Sequence, residues 1–437
     1  MSDGVDRAIL ARSFLRARLE PAVFPTRRAL SAWQERKVIA HLRWARTRSR
    51  HLEERFGAHA TEAWRALPIT HKAEMMARWD DVVTVPIRKD EALAVALRAE
   101  EERDFSPTVR GYTVGLSSGT SGNRGLFVAS AEERAEWAGA AIARVLPALV
   151  PGLVRERVAF FLRANSNLYQ SVGSRRIAFT FFDLSRPFEE HLARLDAQPP
   201  SILVAPPSML RMLAEARIGG RSAIAPRIVV SVAEVLDPLD EGVIRRGFAR
   251  VVHQIYQATE GFLGASCAFG TVHLAEDVMI IEEEPVPGAE DGAFHPILTD
   301  FRRRSQPIVR YRLDDVLVPR RSPCPCGSVA RALDRIEGRA DDLLFVDDGR
   351  GPLFPDFVRR AVMLADAAIT DYRVVQRARD RLALFVEPAE AWAAAAHALD
   401  RLWASRGAPV VIERIERPAQ DLMRKLRRVV RALEAHP

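Results

Sequence analysis

Apolar positions recur at spacings of three and four in ARSFLRARLEPAVF and in SAWQERKVIAHLRWARTRSRHLEERF. That spacing predicts a helical N-terminal part over residues 1–105. The pattern then changes. GYTVGL (Gly111–Leu116) reads as a strand, a polar glycine- and serine-rich loop follows, and LFVAS reads as a second strand. Ser130 and Glu133 stand at capping-box spacing and open a predicted helix, AEERAEWAGAAIARVL. Downstream, the short apolar runs RVAFFL, IAFTFF, SILVAPP and RIVVSV alternate with helical patterns after Pro187, Pro207 and Pro238. This alternation predicts an α/β core with a mostly parallel sheet flanked by helices. Strands apolar on both faces suit such a sheet.

Residues 265–335 show only short strands and many turns, with Pro285, Pro287, Gly288 and Gly292 among them. Farther on, YRVVQ, RLALFVE and PVVIERI read as strands and PAEAWAAAAHALDRLWAS as a helix. LMRKLRRVVRALEAH reads as a terminal basic helix. A boundary near Asp341 therefore divides a large unit, 1–340, from a small α+β unit, 341–437.

Composition removes several classes. With 48% hydrophobic and 28% charged residues over 437 positions, the chain is globular and long enough for a sizeable core. No apolar run approaches the roughly 18 residues of a membrane span, and MSDGVDRAILARSFLRARLEP lacks the apolar centre of a secretory leader. Three cysteines are too few for a disulfide scaffold and suit a reducing, cytoplasmic setting. The net charge of +7 invites a nucleic-acid reading. However, basic and acidic residues are interspersed, and few aromatics accompany the basic ones. An anionic small partner accounts for the surplus instead. Only four of the 64 basic residues are lysine: Lys37, Lys72, Lys89 and Lys425. A position that keeps lysine among so many arginines is a candidate for a role needing the compact ammonium.

Ser117-Ser118-Gly119-Thr120-Ser121-Gly122-Asn123-Arg124-Gly125 is the most informative segment. Glycines let backbone N–H groups turn inward, and hydroxyls add donors that follow a polyphosphate. It lacks the GK[ST] ending of a Walker loop and links strand to strand. Taken alone, it also reads as a serine-rich hairpin loop. Further on come Tyr256-Gln257-Ala258-Thr259-Glu260-Gly261, Tyr311-Arg312-Leu313-Asp314-Asp315, Arg335-Ile336-Glu337-Gly338-Arg339-Ala340-Asp341-Asp342, and Lys425.

In this order and spacing, from about Pro68 (LPITHK) to the C-terminus, the set resembles the adenylate-forming superfamily of acyl-CoA synthetases, adenylation domains and luciferases, and within it the phenylacetate–CoA ligase-like branch. The resemblance implies a large adenylate-forming domain with a small mobile α+β C-terminal domain. It implies that Ser117, Ser118, Gly119, Thr120, Ser121 and Gly122 hold the β- and γ-phosphates of ATP. Ala233 and Glu234 would line the adenine and Tyr256 would stack near it. Thr259 and Glu260 would face the α-phosphate, with Glu260 on Mg²⁺. Asp315 would accept the ribose hydroxyls, and Arg339 would reach the ribose and phosphates. Asp341 would be the hinge. Lys425 would neutralise charge as a carboxylate attacks the α-phosphorus, with Glu260 and Arg339 beside it as the other catalytic groups.

The chain departs from the branch at three places. Asn123-Arg124-Gly125 stands where lysine and proline are usual, Leu313-Asp314 replaces threonine–glycine, and Arg424 replaces the glycine before the lysine.

The three cysteines fall in two places: Cys267, with five residues between it and His273, and Cys324 and Cys326 in CPCG. A Cys₃His set suits structural zinc, closed to substrate. The competing reading is three idle thiols and an unrelated histidine. The resembled branch carries a similar pattern. Phe161, Asn165, Tyr169, Ser231 and Ala233 are candidates for an acyl pocket, or else plain core residues.

The expected activity is ATP-dependent, AMP-forming activation of a carboxylic acid, aromatic by the candidate pocket, followed by transfer to a thiol of CoA or of a carrier protein. The alternatives are transfer of AMP itself, an amine or inorganic oxyacid as reactant, or a non-catalytic nucleotide-binding protein. No nucleic acid or membrane partner is expected, and the chain is expected to be a monomer or homodimer.

Overall fold

The computed structural model describes residues 2–102, 107–117, 125–145, 155–162, 177–287, 289, 291–339, 344–346, 353, 355–417 and 428–432. Its centre is one mixed sheet. The parallel half runs, in spatial order, Ile177–Asp183, Glu156–Leu162, Ile202–Ala205, Ile228–Ser231 and Val252–Ala258. The strands Ile202–Ala205 and Ile228–Ser231 are buried at every position, as strands covered on both faces must be. Helices Phe188–Ala197, Pro207–Ile218 and Pro238–Phe248 follow the prolines that announced them.

The sheet continues as an antiparallel half: Gly261–Ser266, Val272–Leu274, Ala332–Arg339, Asp315–Pro319, Phe294–Asp300 and Met279–Pro285, with Ile308–Arg312 also paired to Phe294–Asp300. Within 265–335, the described strands thus belong to this sheet, and the region is more regular than its turn-rich sequence suggests.

A three-stranded antiparallel sheet, Thr108–Val109, Tyr112–Leu116 and Leu126–Ala129, carries the serine–glycine segment as the connection between its last two strands. The register pairs Leu116 with Leu126, and Ser117 N–H donates to Gly125 O at 2.7 Å. The predicted capping box is formed. Ser130 N–H donates to Glu133 Oε2 at 2.7 Å, and Glu133 N–H to Ser130 Oγ at 3.2 Å, opening the helix Ala131–Val145.

The N-terminal part is helical. Helix Ser2–Arg18 lies on Ala131–Val145, with Ser13 Oγ donating to Glu136 O at 2.6 Å. Helix Arg27–Arg46 is fastened to the antiparallel half, where Gln34 Nε2 donates to Glu276 O at 2.8 Å and to Met279 O at 2.9 Å. Among the described residues, no helix is long and apolar enough to cross a membrane.

A separate four-stranded sheet, in the order Val411–Arg414, Arg381–Glu387, Asp371–Ala378 and Val429–Arg431, packs with helices Pro355–Ala365 and Trp392–Ser405. Its last strand corrects the expected terminal helix. Val429–Arg431 pairs parallel with Val374–Gln376, so within LMRKLRRVVRALEAH tertiary pairing overrides helical periodicity.

Candidate functional site

In an open α/β sheet, ligands bind outside the carboxyl ends of the parallel strands. Ser231 ends one such strand and is 2% exposed. Just past it, Glu234 N–H donates to Val232 O at 2.8 Å across Ala233, whose φ of 67° is strained for a residue with a Cβ. Glu234 Oε2 accepts from Ser208 N–H at 3.4 Å. The neighbouring parallel strand, Val252–Ala258, holds buried Tyr256 and leads directly into Thr259 and Glu260.

Two tyrosine hydroxyls organise the carboxylates there. Tyr256 donates to Asp315 Oδ2 at 2.7 Å, and Tyr311 donates to Glu260 Oε1 at 2.9 Å. The protein packed around Glu260 pushes its pKa up. Its own backbone N–H and the Tyr311 hydroxyl pull the other way, Asp315 adds to the rise, and Lys72 opposes it. Asp315 opens the strand Asp315–Pro319 and stands in backbone register with Arg339.

The two described ends of the serine–glycine segment lie at the same place. Lys72 Nζ donates to Ser117 Oγ at 3.2 Å, and Gly125 N–H donates to Ser117 Oγ at 2.7 Å. Lys72 thus touches the base of the loop while its charge acts on Glu260.

The structure therefore brings the Tyr256–Glu260 stretch, with Thr259 beside Glu260, together with Asp315, and Lys72 links it to Ser117. Ser118, Gly119, Thr120, Ser121, Gly122, Asn165, Tyr169, Asp341 and Lys425 lie outside the described residues, and Arg339 is described by its backbone alone. Phe161 has no exposed area. Its ring stacks on Phe182 at 4.5 Å and meets His191 edge-on at 5.2 Å, which makes it core rather than pocket wall.

Lys72 and Tyr311 complete the site without having been assigned to it from sequence. The rarity of lysine marked Lys72, and Tyr311 lay in a quoted motif. Neither signal named a partner.

The cysteine–histidine set converges. One ligand atom from each of Cys267, His273, Cys324 and Cys326 lies within 4.8 Å of every other. Cys267 Sγ is 3.6 Å from Cys324 Sγ, and Cys326 Sγ is 3.3 Å from His273 Nε2. His273 Nδ1 is 3.0 Å from Ala330 O, a contact that fixes the ring and turns Nε2 towards the sulfurs. Tight turns present the thiols: Gly270 N–H donates to Cys267 O at 3.0 Å, and Gly327 N–H to Cys324 O at 3.2 Å. Burial disfavours both Cys324 and Cys326 thiolates. Hydrogen bonds from the Cys326 backbone and His273 nevertheless hold Cys324 at about 6, whereas burial and the neighbouring thiols push Cys326 up to about 12. A bound cation would relieve that conflict by letting every thiol ionise. The donor set fits a closed, four-coordinate metal site. It lies one strand away from the crevice, because Gly261–Ser266 runs from Glu260 to Cys267, roughly 20 Å at ordinary strand rise.

A third polar cluster joins the small sheet to the helices Pro207–Ile218 and Pro238–Phe248 that flank the large one. Arg428 Nη2 donates to Asp240 Oδ1 at 2.7 Å and lies 3.1 Å from Asp371 Oδ1. Arg211 Nη1 reaches the same Asp240 at 3.1 Å. Arg428 is 4% exposed and Asp240 1% by side chain. Burial opposes the Arg428 charge, and the surrounding aspartates more than reverse this, so its pKa is raised.

Solved structures with this fold include 2-hydroxyisobutyryl-CoA ligase in the postadenylation state in complex with 2-HIB-AMP. It aligns at a TM-score of 0.67 and 18% identity, over 93% of this chain and 89% of that one. The anthranilate CoA ligase AuaEII in complex with anthranoyl-AMP aligns at 0.51 and 13% identity, over 73% and 67%. The amide bond synthetase McbA from Marinactinospora thermotolerans aligns at 0.50 and 15% identity, over 72% and 67%. No family model matches the sequence, and no curated protein matches it.

Proposed function

We propose that this chain, which has the fold of the adenylate-forming ligases, activates a carboxylic acid with ATP and passes the acyl group to a thiol. The observation that carries the reading is the convergence of the loop base at Ser117, the Glu260 carboxylate and the Asp315 carboxylate at the carboxyl ends of the parallel strands.

In the first step a carboxylate oxygen attacks the α-phosphorus of ATP. The bond to the bridging oxygen breaks and pyrophosphate leaves. In the second, a thiolate sulfur attacks the acyl carbon and AMP departs. Both reactants of the first step are anions, so the site must supply positive charge. Lys425 and Arg339 fit that need, and Lys425 is assigned to the attacked phosphorus. Glu260 fits a ligand for Mg²⁺, which would neutralise phosphate oxygens when bound. Asp315, held by Tyr256, is oriented to accept from the ribose hydroxyls. Ala233 and Glu234 are assigned to the adenine edge, and Ser117–Gly122 to the β- and γ-phosphates.

Asp341 is assigned as the hinge at which a small domain, 341–437, turns between the half-reactions. The acid is proposed to be aromatic, and the acceptor to be CoA or a carrier-protein thiol. The Cys267–His273–Cys324–Cys326 set is proposed to hold structural zinc that ties Gly261–Ser266 to the segment before Ala332–Arg339. Elemental analysis should find about one zinc per chain, and a chain purified without stoichiometric zinc would refute this assignment.

The test of the activity is pyrophosphate release across a panel of carboxylic acids, followed by addition of CoA or an amine to the acids that respond. Release with one class of acid and turnover with a thiol support the reading. ATP binding without release for any acid would make the chain a nucleotide-binding protein of the same fold.

A further inference from the structure

Lysine has been kept at only four positions in this chain, and residues 117–125 contain none. Lys72 nevertheless reaches that loop from 45 residues away. Two fastenings bring it there. On one side, Thr70 bridges to the strand of Tyr311: Thr70 N–H donates to Arg310 O at 2.8 Å, and Arg312 N–H donates to Thr70 O at 3.0 Å. On the other, the helix Lys72–Ala77 is held against Leu126–Ala129, where Leu126 N–H meets Met76 Sδ at 3.2 Å. Gln306 Nε2 spans the same junction, 3.5 Å from Met75 Sδ and 3.2 Å from Leu126 O. The first fastening sets Lys72 relative to the tyrosine that holds Glu260. The second sets it relative to the far end of the loop.

The space for its stem is also shaped. A Cβ on Gly125 would lie 3.1 Å from Lys72 Cε and 3.4 Å from Ser117 Oγ, so a larger residue there would press on both. The ammonium is thus held on the base of the loop by tertiary structure, within reach of Glu260's charge. An ammonium on a flexible stem offers three donors and a full charge to phosphate oxygens. It also offsets part of the repulsion that Glu260 and Asp315 would exert on a polyanion.

We propose that Lys72 is a binding residue for the terminal phosphates of the nucleotide and for the pyrophosphate that leaves, an inference that rests on the ligase reading and deepens it. Its contact would be confined to the β- and γ-phosphates, so AMP should not feel it.

The test is direct binding of ATP, inorganic pyrophosphate and AMP to wild type, Lys72→Gln and Lys72→Arg. Lys72→Gln should lose at least about tenfold for ATP and pyrophosphate, the scale of a charge-assisted hydrogen bond, with AMP within about twofold. Lys72→Arg, which keeps the charge, should recover part of the ATP affinity. Equal loss of AMP and ATP in Lys72→Gln would mean a structural lysine and overturn the proposal. So would ATP binding equal to that of wild type. If Lys72→Gln does not fold, Lys72→Arg alone decides: a selective change in ATP over AMP supports the role, and none overturns it. A wild-type chain that binds neither ATP nor pyrophosphate would sink the ligase reading together with this one.

Discussion

Two acid clusters in this molecule are built from opposite chemistry. In the crevice, Glu260 and Asp315 accept from the phenols of Tyr311 and Tyr256. At the junction of the two sheets, Asp240 accepts from the guanidinium groups of Arg428 and Arg211, and Asp371 from Arg428. A phenol fixes where a carboxylate points and leaves its charge in place. A guanidinium fixes it and cancels the charge. On the proposed function, the first arrangement would keep an acid ready for a cation or a hydroxyl that arrives with substrate. The second holds two parts of the protein together.

The comparison breaks most visibly at Arg428. Removing it in Arg428→Ala leaves Asp240 deeply buried with less compensation, a change on the order of 3–5 kcal/mol for a broken buried pair. Chemical denaturation should show that loss, or a separate early transition for the small sheet. A change below about 1 kcal/mol would mean the pair does not hold the junction.

Lys425→Ala should do the reverse. By analogy with loss of one transition-state donor, adenylation should fall roughly 10²–10³-fold, about 3–4 kcal/mol, with unfolding little changed. Unaltered ATP–pyrophosphate exchange would remove Lys425 from the chemistry.

His41 supplies a buried titratable group with no carboxylate beside it. Burial, helped by Arg304, lowers its pKa to about 4, and among the described residues its Nε2 has no hydrogen-bond partner. The unfolded chain takes up a proton near pH 6.5, whereas the folded chain resists until about pH 4. Stability is therefore full above about pH 6.5 and drains away as the pH falls towards 4, by about 3 kcal/mol in all. His41→Gln, measured by urea denaturation between pH 7 and 4 at a ladder of values, should flatten that slope. An unchanged slope would assign acid lability to other groups.

What the sequence revealed follows the same division between local and distant causes. The strands Ile202–Ala205 and Ile228–Ser231 announced themselves because burial on both faces writes an unbroken apolar run. Met279–Pro285 did not, because its burial stops after Ile281 and glutamates occupy the remainder. The chemistry-bearing types at Tyr256, Glu260 and Asp315 were legible as motifs, but their contacts were not. Tyr311 reaches Glu260 across 51 positions, and Arg428 reaches Asp240 across 188. Local periodicity placed Arg428 in a terminal basic helix. Only the pairing of Val429 with Val374 turns that segment into a strand edge and its arginine inward.

The smallest expected effect discriminates most finely between the two clusters. Tyr311→Phe removes one hydroxyl and keeps the ring, which is 2% exposed and packed in the core. If the phenol merely satisfied a buried acid, the loss of about 1 kcal/mol would appear in unfolding and would be the same with or without nucleotide. If it orients Glu260 for a cation, unfolding should change little, because Glu260 retains its own backbone N–H and Lys72. The cost would then fall on the Mg²⁺ dependence of adenylation, with half-saturation moving about three- to tenfold higher and saturating magnesium restoring most of the rate. The matching substitution Tyr372→Phe, whose hydroxyl donates to Asp237 at 3.4 Å beside Arg428, should leave the magnesium dependence alone. An identical magnesium response in both variants would erase the distinction between a carboxylate that waits and one already answered.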